Sequence, residues 1–231
     1  MKTNPKINRG FTLVELLVVI VIIASLAALS TPMIMGQIKK ANRTQATSNA
    51  KQIGIAMFTF EQDYGSYPDS VTLEDLTEAF PEAAVTGEAG EDSNGYFKQL
   101  LHAGIAPSEE IFYAKANGTK EPDGDISTNE KALAEREVGF GYILDGSKGM
   151  STAGNPSRVI VVTPLAENGT EFDGDPFDKQ AVVLKIDQSV TNLKIRTSDS
   201  SSKGPAIIGN KPLLEADFWG DAEPTIKPPK L

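Results

Sequence analysis

The chain has 231 residues, 22 basic and 31 acidic side chains, a formal net charge of −9 and no cysteine. That length allows one or two domains, and the acidic balance argues against a nucleic-acid partner and against adhesion of the soluble part to anionic lipid. Without cysteine there is neither a disulfide framework, nor thiolate chemistry, nor a Cys-type zinc site.

The first ten residues carry Lys2, Lys6 and Arg9 and no acid. From Phe11 to Leu29 the chain is apolar except for Thr12, Glu15 and Ser25. Nineteen such residues make a helix roughly 28 Å long, the thickness of a bilayer core. A cationic flank keeps its side in the cytoplasm, so everything after Leu29 is expected to cross the membrane. A secretory signal peptide has the same general plan, but its apolar core is shorter and its small-residue cleavage site follows that core. Here Ala27 and Ala28 lie inside the run. Glu15 is the second departure, because a carboxylate inside a membrane segment calls for a cationic partner.

The stretch Arg9-Gly10-Phe11-Thr12-Leu13-Val14-Glu15 resembles the prepilin family, the precursors of type IV pilins and of type II secretion pseudopilins. The resemblance implies cleavage between Gly10 and Phe11 by a prepilin peptidase, N-methylation of Phe11, and an assembly role for Glu15 opposite the new amine of a neighbouring subunit. A glycine at position 10 lets the scissile backbone approach the peptidase closely. Methylation keeps the amine's charge.

Beyond the apolar run, Pro32 and Gly36 are expected to weaken the helix and bend it. Ala46, Ala50, Ile53, Met57, Phe60 and Tyr64 then recur at steps of four and three, the period of an amphipathic helix. Gly65 and Pro68 end it, so one helix is expected from Phe11 to about Tyr64. Its closing Asp63-Tyr64-Gly65-Ser66-Tyr67-Pro68 is similar to the helix end of major pseudopilins.

Val71 to Phe80 predicts a short helix with Leu73, Leu76 and Phe80 inward. Asn94 is expected to cap a second one carrying Phe97, Leu100 and Leu101, with Gly104 after it. Ser108-Glu109-Glu110 opens a further turn, and residues 117–129 read as a polar surface loop. Four strands follow, at Val138 to Leu144, Arg158 to Leu165, Ala181 to Ile186 and Val190 to Ile195, the last two joined by Asp187-Gln188-Ser189. Leu213 to Trp219 reads as an edge strand or short helix, and the tail with Pro224, Pro228 and Pro229 as extended and mobile.

The expected fold is α+β and pilin-like: a long N-terminal helix, transmembrane in its first half, packed on a C-terminal antiparallel sheet domain with short helices. The expected divisions are a leader at 1–10, a transmembrane and filament-core helix at 11–30, its amphipathic continuation at 31–65, and a globular domain at 66–231.

Candidate chemistry in that domain is sparse. A single histidine, His102, cannot furnish a metal cluster or a nucleophile-base set. Asp173, Asp175 and Asp178 lie on one turn at a spacing that suits calcium, although it is not that of an EF-hand loop. The prepilin resemblance implies calcium in the C-terminal region of major pseudopilins, and Asp123-Gly124-Asp125 is a second acidic candidate.

The combined expectation is a structural filament subunit without enzymatic activity, in a pseudopilus of type II secretion or a type IV pilus. Its partners would be the prepilin peptidase and methylase, copies of itself and other pilins, and the inner membrane before assembly. It would be a single-pass inner-membrane protein with a periplasmic domain, later part of a periplasmic or cell-surface filament. The alternatives are a minor or tip pilin whose domain binds a ligand or surface, and a membrane-anchored periplasmic binding domain.

Overall fold

The computed structural model describes residues 11–167, 169–198 and 200–231. Residues 1–10, with the expected leader and Gly10, lie outside them. Two compact units divide the described chain, one ending at Ile38 and the other running from Lys39 to Leu231.

Helix α1 is Leu13–Tyr64, 52 residues, and it stays helical through positions 32 and 36. In the first unit its apolar side chains from Leu13 to Leu29 are exposed. An 18-residue window reaches a mean hydropathy of 2.8, so by length and composition this helix can cross a membrane.

In the second unit α1 buries the predicted stripe: Ala46, Ala50, Ile53, Met57 and Phe60 are within 1% of complete burial. Tyr64 is half-buried, its ring tilted against that of Phe60 with centroids 4.6 Å apart. Gly54 sits in the same face, where a β-carbon would come within 3.0 Å of the Leu184 side chain and 2.6 Å of Gln188. The helix can therefore lie close on the sheet there. Gly65 ends it at φ +81°, a conformation that excludes most side chains.

Helix α2, Ser70–Ala79, begins with a reciprocal cap. Asp69 Oδ1 accepts the N–H groups of Val71 and Thr72 at 2.8 and 3.0 Å, and Thr72 Oγ1 accepts the Asp69 N–H at 2.8 Å. Leu76 is buried as expected, but Phe80 is 46% exposed and Leu73 only half-buried. The helix stops at Ala79, so Phe80 leaves the helical face that carries Leu76 inward.

Helix α3, Ser93–His102, is capped by Asp92, whose side chain accepts the Gly95 N–H. The cap lies two residues earlier than Asn94. Asn94 is buried instead, donating to Leu133 O at 2.8 Å and accepting the Lys230 N–H at 3.0 Å. The whole start of α3 is buried, so the Asn94 amide is satisfied by partners far along the chain and the cap falls to the half-buried Asp92.

The strands are β1 (Gly141–Asp145), β2 (Val159–Thr163), β3 (Phe172–Asp173), β4 (Gln180–Lys185), β5 (Val190–Ile195), β6 (Lys203–Gly204), β7 (Ala206–Ile208), β8 (Lys211–Pro212) and β9 (Pro224–Lys227). Seven form an antiparallel sheet in the order β8-β7-β5-β4-β2-β1-β9, and β3 pairs with β6. β2 is buried at every position, which is why it reads as an unbroken apolar run rather than an alternation.

Gln188 turns the β4–β5 hairpin at φ 66°, taking the left-handed position that glycine more often fills. Residues 213–219 form two short 3-10 turns, and Trp219 buries its ring while donating Nε1–H to Leu213 O at 2.8 Å. The C-terminal segment departs from the expected mobile tail. β9 is extended, but it pairs with β1 over Pro224 to Lys227 at the edge of the sheet. Proline is compatible with an edge, where one side of the strand needs no donor.

Candidate functional site: the N-terminal helix cap and the acidic turns

Phe11 and Thr12 precede the first helical residue, and Phe11 is 74% exposed. Thr12 and Glu15 stand at the N-cap and N3 positions. Glu15 Oε2 accepts both the Thr12 N–H at 2.9 Å and the Thr12 Oγ1–H at 2.7 Å, and Glu15 N–H donates to Thr12 Oγ1 at 3.3 Å. This reciprocal arrangement satisfies amides that the start of a helix leaves orphaned. The Thr-x-x-Glu spacing that forms it is visible in the sequence, where the carboxylate reads chiefly as a partner for an amine. The helix dipole also favours an anion at this place.

The acidic turn holds its residues differently from a calcium loop. Asp173 is buried, and its Oδ2 accepts from Asn117 Nδ2. Its Oδ1 accepts the Asp175 N–H at 3.0 Å and the Ser202 Oγ–H at 3.1 Å. Asp175 faces outward, 3.8 Å from Lys39 Nζ, and Asp178 takes a left-handed backbone at φ 57°. Neutral donors thus hold both oxygens of Asp173, Lys39 stands beside Asp175, and Asp178 is exposed.

Among the described residues a different carboxylate group comes together. Glu109, Asp123 and Glu137 bring oxygens within 4.8 Å of one another, joining half of the second sequence candidate to two glutamates from outside it. Each of the three also supports the backbone. Glu109 accepts the N–H groups of Gly124, at 3.0 Å, and Leu133, while Glu137 Oε2 accepts the Ala134 N–H at 2.8 Å. Asp123 Oδ1 accepts the Asp125 N–H at 2.8 Å. Glu137 Oε1 is buried and lies 3.2 Å from Lys120 Nζ. Burial, then the nearby Glu137 and Asp123, pushes the Glu109 carboxyl up despite those two amide bonds. Asp125, on the same loop, is held down to about 2 by hydrogen bonds from Lys131 and Ser127.

His102 is a buried bridge. Its ring nitrogens lie 3.0 Å from Thr86 O and 3.2 Å from Phe80 O, tying the end of α2 to the loop that leads into α3.

The model of the prokaryotic N-terminal methylation motif matches residues 5–31. Type II secretion system core protein G of Klebsiella pneumoniae is 33% identical over 129 residues, covering 92% of that protein and 52% of this chain. The chain belongs to the type II secretion core protein G family. The Escherichia coli K12 member of this pseudopilin family is 34% identical over 133 residues, 88% of its length and 53% of this chain. The type IV major pilin protein PilA of Myxococcus xanthus is 36% identical over 66 residues, 29% of this chain and 30% of the pilin. No solved structure matches. Close to half of this chain thus lies beyond each of the two core protein G matches.

Proposed function

We propose that this chain is a non-enzymatic filament subunit of a type II secretion pseudopilus. It is made as a precursor, cut between Gly10 and Phe11, methylated on the Phe11 amine and drawn from the inner membrane into a helical fibre. Residues 1–10 are then the leader, 11–30 the membrane and filament-core helix, 31–65 its amphipathic continuation, and 66–231 the globular domain, which faces the periplasm. The prepilin peptidase and methylase act on it, and its lasting partners are copies of itself and other pseudopilins.

The observation that carries this reading is the cap. A Phe-Thr-Leu-Val-Glu start places one carboxylate at the head of a helix whose side chains from Leu13 to Leu29 all point to the surroundings. Cleavage creates a cationic amine one helical turn from Glu15. With Oε2 held by Thr12, the carboxylate is oriented before a neighbour arrives, and its other oxygen can receive that neighbour's amine. Packing among apolar helices lowers the local dielectric, so a register that leaves either charge unpaired is strongly disfavoured. Burial of the exposed apolar helix among its copies supplies the drive to polymerise.

A type IV pilus is the second reading, favoured by the match to the Myxococcus pilin. Intact mass and N-terminal sequencing of the protein from the membranes of its host test the processing shared by both. A chain beginning at N-methylated Phe11 is expected. A chain beginning at Met1, or cut near Ala28, would overturn it.

A further inference from the structure

The charged residues of the second unit are sorted along the chain. Between Leu16 and Phe60 every charge is basic, namely Lys39, Lys40, Arg43 and Lys51, whereas from Glu61 to Asp92 every charge is acidic. Lys39 is engaged with Asp175, and Arg43 donates to Phe177 O at 3.3 Å. Lys40 and Lys51 are exposed and make no ion pair among the described residues. Lys40, Thr44, Ser48, Lys51, Ile55 and Phe58 follow one another at steps of four and three and are all exposed, Ile55 at 66% and Phe58 at 43%. They make one outward stripe of α1, basic at its start and apolar beyond.

The acidic counterpart is α2. Its inner side is locked: Leu76 is buried, Asp69 Oδ2 accepts the Gly149 N–H at 2.9 Å, and Gln99 bridges Thr72 Oγ1 and Asp69 O at 2.9 Å each. Its outer side holds Glu74, Asp75 and Glu78 between Val71, 62% exposed, and Phe80, 46% exposed. None of these three acids pairs with a cation among the described residues. The result is a rigid face, apolar at its ends and negative between them, with Phe80 set edge-on to His102 at 6.0 Å and its three carboxylates open to a partner.

We propose that in the assembled filament the outer face of α2 docks on the Lys40-to-Phe58 stripe of α1 in a neighbouring copy. The occupant is a second copy because the complementary stripe belongs to the same chain, with two unpaired lysines for the carboxylates and Ile55 and Phe58 for Val71 and Phe80. α2 starts six residues past the end of α1, and Lys40 and Lys51 lie roughly 20–35 Å back along the α1 axis from that end. The two patches are distinct, so the contact is heterologous and repeats along an open fibre rather than closing on itself. Apolar side chains exclude water around the charges, while the charges set register and partner choice. This inference rests on the filament reading above.

The chain has no cysteine, so introduced thiols report one contact at a time. The experiment uses full-length protein expressed with its secretion machinery, carrying Lys51→Cys with Asp75→Cys, or Lys40→Cys with Glu78→Cys. Sheared filaments are oxidised and run on non-reducing gels beside the single-cysteine variants. At least one pair is expected to give a ladder of covalent multimers, with none from the single variants. Filaments visible by electron microscopy with no ladder from either pair would overturn the contact, and a crosslink to another pilin would overturn the choice of partner. Absence of filaments from the parent removes the filament reading and this contact together, which separates the two failures.

Charge reversal gives an independent readout. Glu74→Lys with Glu78→Lys should cut filament yield about tenfold at unchanged melting temperature, and adding Lys40→Glu with Lys51→Glu should restore it. Full yield from the one-sided reversal, or no rescue by the two-sided one, would sink the proposal.

Discussion

Asp173 shows how a single buried carboxylate can resemble a metal ligand in sequence and act as a hydrogen-bond hub in the fold. It accepts from Asn117, Ser202 and the Asp175 amide, which join a loop, the strand-end segment before β6 and its own turn. Removing it strands donors that water reaches poorly, so Asp173→Ala is expected to cost about 1–3 kcal/mol of stability. Held by these donors alone, the carboxylate should give the same loss in denaturant titrations with excess calcium and with chelator. A loss confined to calcium-containing buffer would return the turn to the metal reading. Glu109, Asp123 and Glu137 follow the same pattern, each accepting a backbone amide before any other role.

At the scale of elements, the long helix is apolar enough to cross a membrane in its first part and a structural spine in its second, and Gly54 marks where the spine meets the sheet. A β-carbon there already approaches Leu184, so a larger side chain must push α1 off β4 or displace the hairpin at Gln188. Gly54→Leu is expected to destabilise the soluble unit by about 1–3 kcal/mol, readable as a lower denaturation midpoint. Gly54→Ala should cost much less, since Gln188 can swing its amide away and alanine favours a helix. Equal effects from the two would mean that the helix does not bear on the sheet at this point. α2 and α3 are anchored by polar contacts as well as apolar ones, through Asp69, Thr72 and Gln99 on one side and Asn94 on the other.

For the whole molecule, the two units differ in the surface they present. The first exposes apolar side chains on every face of its helix, while the second closes a core of its own between Lys39 and Leu231. Glu15 belongs to this scale because the role proposed for it beyond its cap with Thr12 lies between molecules. Glu15→Ala leaves Gly10, Phe11 and the apolar run intact, so the chain should be cleaved and methylated as the parent is. Filament yield should fall by an order of magnitude or more, since one lost charge pair in a low-dielectric bundle exceeds 1.4 kcal/mol. Filaments at parental yield would leave Glu15 with its capping role alone.

The sequence by itself determined the N-terminal helix of this protein, as far as Tyr64. A prepilin-type cleavage motif, an apolar run of membrane length and a four-three repeat from Ala46 to Tyr64 are local signals. Helix hydrogen bonds are local too, so nothing distant had to be known to place α1. The four longer strands were legible for a related reason, since apolar runs flanked by turn residues survive in any sheet. Tertiary structure decided what depends on partners far along the chain. It paired β9 with β1 and so made an edge strand of a proline-bearing tail, moved the α3 cap from Asn94 to Asp92, and left Phe80 outside the core. It also gathered Glu109, Asp123 and Glu137 from positions 14 residues apart at each step, a meeting that no spacing rule announces. Carboxylates carry no mark of their partners in sequence; whether one meets an amide, a lysine or a neighbouring subunit is settled only when the backbone brings those groups within about 3 Å.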